Sequence, residues 1–291
     1  MKIIIRHELK LSVPDGAPRA VEHLLLTPLS GPSQTVKDWA IEVPGIETAA
    51  RFIDAYGNRA LLVGQTRPGP EIDIVVSGAV ETTDRNGVIG RVPGDPVVAL
   101  YKRVTPLTEP DPRMLDPFRN ADRYGSARIA LFHAVMDRAA ELYRFGAGEA
   151  AEPAKMVLDA VGVATQAQNG QTQAQKQSQG DAQDDDRQEA DAPVFAHAFI
   201  GVLRALDIPV RYVTGYLAAG DDRPAAFHAW AEAWDDSLGW IAFDPALGIC
   251  PTDRHVRVAT GLDAPSTLPV RLVPATGEPV LVGIEAVASA Q

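Results

Sequence analysis

Cysteine is almost absent from this 291-residue chain, Cys250 being the single one. That excludes an internal disulfide framework and fits a reducing compartment. Basic residues are in deficit, and the net charge of -11 argues against nucleic acid or an anionic membrane as the main partner. Long apolar runs are also missing. Ile3-Ile4-Ile5 is too short for a signal peptide and is flanked by Lys2 and Arg6. No stretch approaches the roughly 20 residues that cross a bilayer. The expected location is the cytoplasm. What remains, 46% hydrophobic and 22% charged, is enough to bury a sizeable core. The length fits one large domain or two ordinary ones.

Residues 1–105 are poor in helix signals. Residues 2–11, 19–27, 34–43, 60–64 and 72–80 read as strands between Pro- and Gly-rich turns. In the third, Val36, Trp39 and Ile41 break the alternation, which points either to a bulge or to a misplaced strand boundary. Tyr56-Gly57-Asn58-Arg59 is the strongest hairpin turn. This half is expected to be an antiparallel β domain, followed by a second domain over 106–291. In residues 126–145, Ile129, Phe132, Met136, Ala139 and Tyr143 recur at helical spacing, with Ser126 available as N-cap. Residues 153–161 read as a shorter helix. Residues 164–191 are rich in Gln and Asp and nearly devoid of large apolar side chains, so they are expected to be a disordered insert.

After the insert, Phe195, Phe199, Val202, Leu203 and Leu206 share a helical face. Asp191 is a candidate N-cap and Pro193 fits a first turn, which would start this helix near Asp191. Residues 210–217 alternate as a strand. Residues 227–234 and 240–244 read as a hairpin, and residues 269–273 and 279–287 as a last strand pair around Gly277.

The hairpin permits a geometric test. His228, Trp230, Glu232 and Trp234 point one way, as do Trp240, Ala242 and Asp244 on the return strand. A turn symmetric about Ser237 sets Trp230 opposite Asp244 and makes His228 its diagonal neighbour, within side-chain reach. An aspartate that orients a histidine is half of a thiol or serine triad. The missing nucleophile would belong at a helix N-terminus, where free N–H groups and the dipole lower a thiol pKa. The helix after the insert offers that place.

Together, Ala196-His197, the run from Arg204 to Leu217, His228-Ala229-Trp230-Ala231-Glu232, Gly239-Trp240 to Asp244-Pro245, and the end at Gly248 to Asp263 resemble the bacterial transglutaminase-like family, candidate cysteine proteases with an N-terminal β domain. The resemblance covers nearly the whole chain apart from the insert. It implies an α+β fold, a papain-like core of helices on an antiparallel sheet. It implies acyl transfer from a glutamine amide or peptide bond through a thioester, with His228 as base and Asp244 as its orienting residue. Counting back from Ala196-His197 puts the family's Cys-Gln-Asp at Ala192, Pro193 and Val194. All three depart from the pattern, and three adjacent changes beside a degenerate insert read as erosion.

The expected protein is therefore a catalytically impaired homologue that keeps a peptide-binding cleft, to which His197, Trp230 and Glu232 are assigned. The alternative is an active peptidase, amidase or acyl-transfer enzyme that uses His228 and Asp244 with another nucleophile. Cys250 and Thr214 are the distant candidates. No cofactor is expected. His7, His23, His133 and His255 show no metal-ligand spacing, and a relic site of His228, Asp244 and Glu232 is the weaker alternative. The expected ligand is a peptide or protein. The resemblance further implies partner proteins from a peptide-modifying gene cluster.

Overall fold

A computed structural model describes residues 1–120, 128–144, 182–221, 223–277 and 279–288, with backbone only for residues 144 and 182–191. Alternating side chains build most of it. Strand β1 (Lys2–Ser12) turns Ile3, Ile5, His7, Leu9 and Leu11 inward and its polar residues outward. It pairs antiparallel with β6 (Glu71–Thr82), which pairs in turn with β3 (Gln34–Glu42). The β3–β6 register shifts between Val36 and Asp38, at the place where the sequence alternation fails. A second sheet contains β2 (Arg19–Thr27), β5 (Arg59–Thr66) and β4 (Ala50–Ile53). The β4–β5 turn is tied by Asp54, whose Oδ1 accepts the Tyr56 and Asn58 N–H groups, and by Gly57 at φ 85°. The two sheets share a core of Leu9, Leu11, Ile72, Ile74, Leu24 and Val63.

The last strands correct the expected division at 105/106. β12 (Val270–Val273) and β13 (Val280–Ala288) do not pair with each other. β12 joins β2 and β13 joins β1, one in each of the N-terminal sheets. In exchange, β7 (Val88–Gly90) from the N-terminal half forms an edge of the third sheet. Alternation identifies a strand but not its partner, and here the partners, such as Val270 with Leu24 and Ala288 with Ile3, come from opposite ends of the chain.

The third sheet has the order β11-β8-β9-β10-β7, with β8 (Val210–Leu217), β9 (Ala226–Asp235), β10 (Gly239–Phe243) and β11 (His255–Gly261). One face packs against α2 (Arg128–Arg144) and α3 (Ala182–Ala205), through Phe132, Phe195, Phe199, Tyr212, Ala229, Ala231 and Phe243. A single helical turn, α1 (Pro112–Leu115), adds Met114 to that core. The opposite face carries Val213, Trp230, Trp240 and Tyr101. The expected helix over 153–161, the Ser126 N-cap and residues 164–181 of the insert lie outside the described residues. Residues 182–191 belong to α3. Among the described residues no helix is long and apolar enough to cross a membrane.

Candidate functional site

The β9–β10 hairpin sets the site. Gly239 pairs with Asp235 and Phe243 with Ala231, so the register is centred on Ser237. Asp235 holds the turn, its Oδ1 accepting the N–H groups of Ser237 and Leu238 at 2.9 Å, and Gly239 takes φ 80°. The strand β10 ends at Phe243, and Asp244 follows in a tight loop where its N–H donates to the Ile249 carbonyl at 2.8 Å. This brings Asp244 Oδ2 to 2.7 Å from His228 Nε2. Asp244 is fully buried and His228 nearly so. His228 Nδ1 is buried and has no hydrogen-bond partner among the described residues.

A third residue joins this pair. His255, on β11, places its Nε2 3.1 Å from the same Asp244 oxygen. The other carboxylate oxygen accepts the Leu247 N–H at 3.1 Å. Burial opposes the charge of Asp244, but His228 and His255 outweigh it and hold the carboxyl well below its usual range. Burial in turn lowers the pKa of His255, against the pull of Asp244. Sequence spacing missed this residue. The alternation in His255–Gly261 was the available signal, but only the pairing of β11 with β8 brings it to Asp244.

His228, Asp244 and His255 offer ligand atoms within 4.8 Å of one another, a set that could in principle hold a cation. The hydrogen bonds argue otherwise. His255 Nδ1 accepts the Thr252 N–H at 3.1 Å, so in the neutral ring the proton sits on Nε2, where a metal would need the lone pair. A ligating histidine normally donates its other N–H instead. The trio is a hydrogen-bonded network around a carboxylate.

The three residues assigned to the cleft do not lie together. Trp230 stacks on His228, with centroids 6.3 Å apart. It also borders, with Glu232, Gln34, Thr252, His255 and Arg257, a cavity of about 20 Å³, room for one or two waters. Glu232 is an ion-pair partner there: Arg211 Nε donates to its Oε2 at 2.6 Å and Arg257 Nη1 approaches at 3.4 Å. That also removes Glu232 from any metal set with His228 and Asp244. His197 is on the other side of the sheet. Its ring stacks on Tyr212 at 4.7 Å, and its Nε2 accepts the Ala264 N–H at 3.0 Å. Burial pushes its pKa down to about 3, which keeps the ring neutral. His197 is a packing residue, because Tyr212 and Trp230 face opposite sides of the pleat.

The nucleophile position also differs from expectation. α3 starts at Ala182, so Ala192 is its eleventh residue and Pro193 sits inside the helix. Asp191 and Pro193 signal a start, but Ala, Gln, Arg and Glu upstream are good helix formers and carry the helix past them. Ala192 is 1% exposed and belongs to the apolar core with Phe195, Ala196 and Phe199. The alternative nucleophiles are engaged elsewhere. The Thr214 hydroxyl donates to the Thr267 carbonyl at 3.3 Å. Cys250 packs against the α3 core, and burial together with Asp84 pushes its thiol pKa up, away from thiolate.

Comparison with known families decides the assignment. Residues 3–81 match the bacterial transglutaminase-like N-terminal region, and residues 146–245 match the transglutaminase-like superfamily core. The chain is a bacterial transglutaminase-like protein. The core match contains Ala192, His228 and Asp244. The transglutaminase-like chain is 27% identical over 254 residues to an uncharacterized protein of Mycobacterium leprae, covering 84% of this chain and 83% of that one. A protein-glutamine γ-glutamyltransferase of Pseudomonas aeruginosa is 36% identical over 78 residues, which span 24% of this chain and 11% of that enzyme. A candidate cysteine protease from Cytophaga hutchinsonii has the same fold, with a TM-score of 0.50, 24% identity, and coverage of 98% of this chain and 89% of that one.

Proposed function

We propose that this protein is a catalytically impaired transglutaminase-like chain that keeps its imidazole–carboxylate pair and binds peptide beside it. The observation that carries this reading is the state of His228. Its Nε2 is held by Asp244 at 2.7 Å, while its Nδ1 is buried with no partner among the described residues. A base oriented on one side, with no partner for its other nitrogen among the described residues, supports a pair that is kept without its nucleophile. The methyl of Ala192 has no lone pair, so no thioester can form there. Cys250 and Thr214 are occupied with packing and backbone bonding.

The unpartnered Nδ1 supports a ligand that carries a hydrogen-bonding group, and the name of the Pseudomonas aeruginosa relative supports a glutamine-bearing peptide. The test combines two measurements on the intact chain. Glutamine-containing peptides are titrated while the ring resonances of His228 and Trp230 are followed, and the mixture is then examined by intact mass. Saturable shifts at both rings without a covalent adduct are expected. A His228-dependent adduct would establish the competing reading, an active enzyme with another nucleophile. Absence of any shift would remove the peptide-binding cleft.

A further inference from the structure

We infer that His255 is a positioning residue for the His228–Asp244 pair, acting on His228 through the shared carboxylate oxygen. Asp244 Oδ2 accepts from two imidazoles at once, at 2.7 Å from His228 and 3.1 Å from His255. Its Oδ1 accepts from the Leu247 N–H. A fully buried carboxylate with a single neutral donor tends to take up a proton. Three donors keep it an anion, and an anion beside His228 fixes the imidazole proton on Nε2. The lone pair is thereby committed to Nδ1, the atom without a partner.

His255 is itself locked. The Thr252 N–H donates to its Nδ1 at 3.1 Å, so the neutral ring can serve Asp244 only through Nε2–H. Its ring meets Trp230 edge-on, with centroids 5.4 Å apart at 82°, and Trp230 stacks in turn on His228. Arg254 is the further charge acting on His255, and it disfavours a second positive charge there. Protonating His255 would also cost the Thr252 bond. Because Oδ2 is shared, the carboxylate is held between two imidazoles and cannot turn away from His228. His255 therefore fixes the carboxylate that holds the His228 proton on Nε2. This holds whether or not the pair still serves chemistry, so its failure is separate from failure of the proposed function.

The test is nitrogen-detected NMR of the full chain with labelled histidine, with His228 assigned through His228→Asn. In the wild type, His255 is expected to show one protonated nitrogen, Nε2, and no titration between pH 6 and 8. His255→Phe removes the donor and is expected to lower the share of His228 protonated on Nε2 alone at pH 7, seen as a change in both ring-nitrogen signals. His255→Gln, which can donate to Asp244 and accept from Thr252, is expected to restore the wild-type tautomer. A His228 tautomer unchanged in folded His255→Phe would overturn the inference. So would a wild-type His255 protonated on both nitrogens at pH 7, a measurement that needs no variant to fold.

Discussion

Arg211 and Glu232 stand opposite one another on the paired strands β8 and β9, with Nε 2.6 Å from Oε2 and both side chains 1% exposed. Arg211 also bonds Asp95 at 2.8 Å and lies over the Trp240 ring at 4.3 Å. The pair cross-links the centre of the core sheet to the segment that covers it. Burial opposes the charge of Glu232, and Arg211 and Arg257 restore it, holding its pKa below the usual range. Removing one partner leaves the other charged and buried. Glu232→Ala is therefore expected to cost about 3–5 kcal/mol of stability, measured by urea unfolding. A loss below about 1 kcal/mol would return Glu232 to the role of a cleft residue free to meet ligand.

Glu22 gives the protein a pH-dependent weakness. It points into the N-terminal core between Ala20 and Leu24, where Gln65 donates to Oε1 at 2.9 Å and Oε2 has no partner among the described residues. Burial raises its pKa from 4.5 to about 7. Between those values the folded chain holds a proton that the unfolded chain has released. The Glu22 contribution to stability is thus fully present below pH 4.5 and is lost as pH rises to about 7. Glu22→Gln should remove that slope and gain roughly 1–2 kcal/mol at pH 8. Unfolding at pH 5 and pH 8 checks this, and equal increments at the two pH values would contradict it.

Position 192 should not regain a reactive thiol by substitution alone. In Ala192→Cys with Cys250→Ser, the new thiol lies inside α3, where the surrounding N–H groups are already used in helix bonds. Burial favours the thiol form. The midpoint of alkylation against pH is expected at or above the free value of about 8.5. A midpoint well below it, rising when His228→Ala is added, would mean that the imidazole reaches this position.

Replacing residues 164–181 with a short Gly/Ser linker should shift the unfolding midpoint by only a few degrees. That stretch is nearly without large apolar side chains, and loop length has a weak effect on stability. Extending the replacement to residue 191 removes the first turns of α3 and should cost more. Equal effects of the two replacements would contradict the extent of that helix.

These residues also mark how far the sequence could be read. The hairpin register was legible because Asp235 and Gly239 supply the turn chemistry and the flanking strands alternate strictly, and the expected His228–Asp244 proximity is the geometry found. The irregularity near Lys37 was legible for the same reason, since an added residue interrupts the period of two, but only the pairing with β6 distinguishes a register shift from a misplaced boundary. The partners of β12 and β13 were not, because pairing between distant strands leaves no local trace. The start of α3 was misread because a local N-cap signal competes with the helix propensity of the preceding residues. His255 and the Arg211–Glu232 pair depend on which strands become neighbours, and single-strand patterns do not carry that information.

Turnover tests the central claim most directly. Wild type, His228→Ala and Cys250→Ser are assayed side by side for release of ammonia from glutamine peptides and for peptide cleavage. The account predicts that all three match the enzyme-free blank, because on the proposed reading the oriented imidazole is left without a nucleophile to activate. Turnover in the wild type that persists in Cys250→Ser and vanishes in His228→Ala would contradict it.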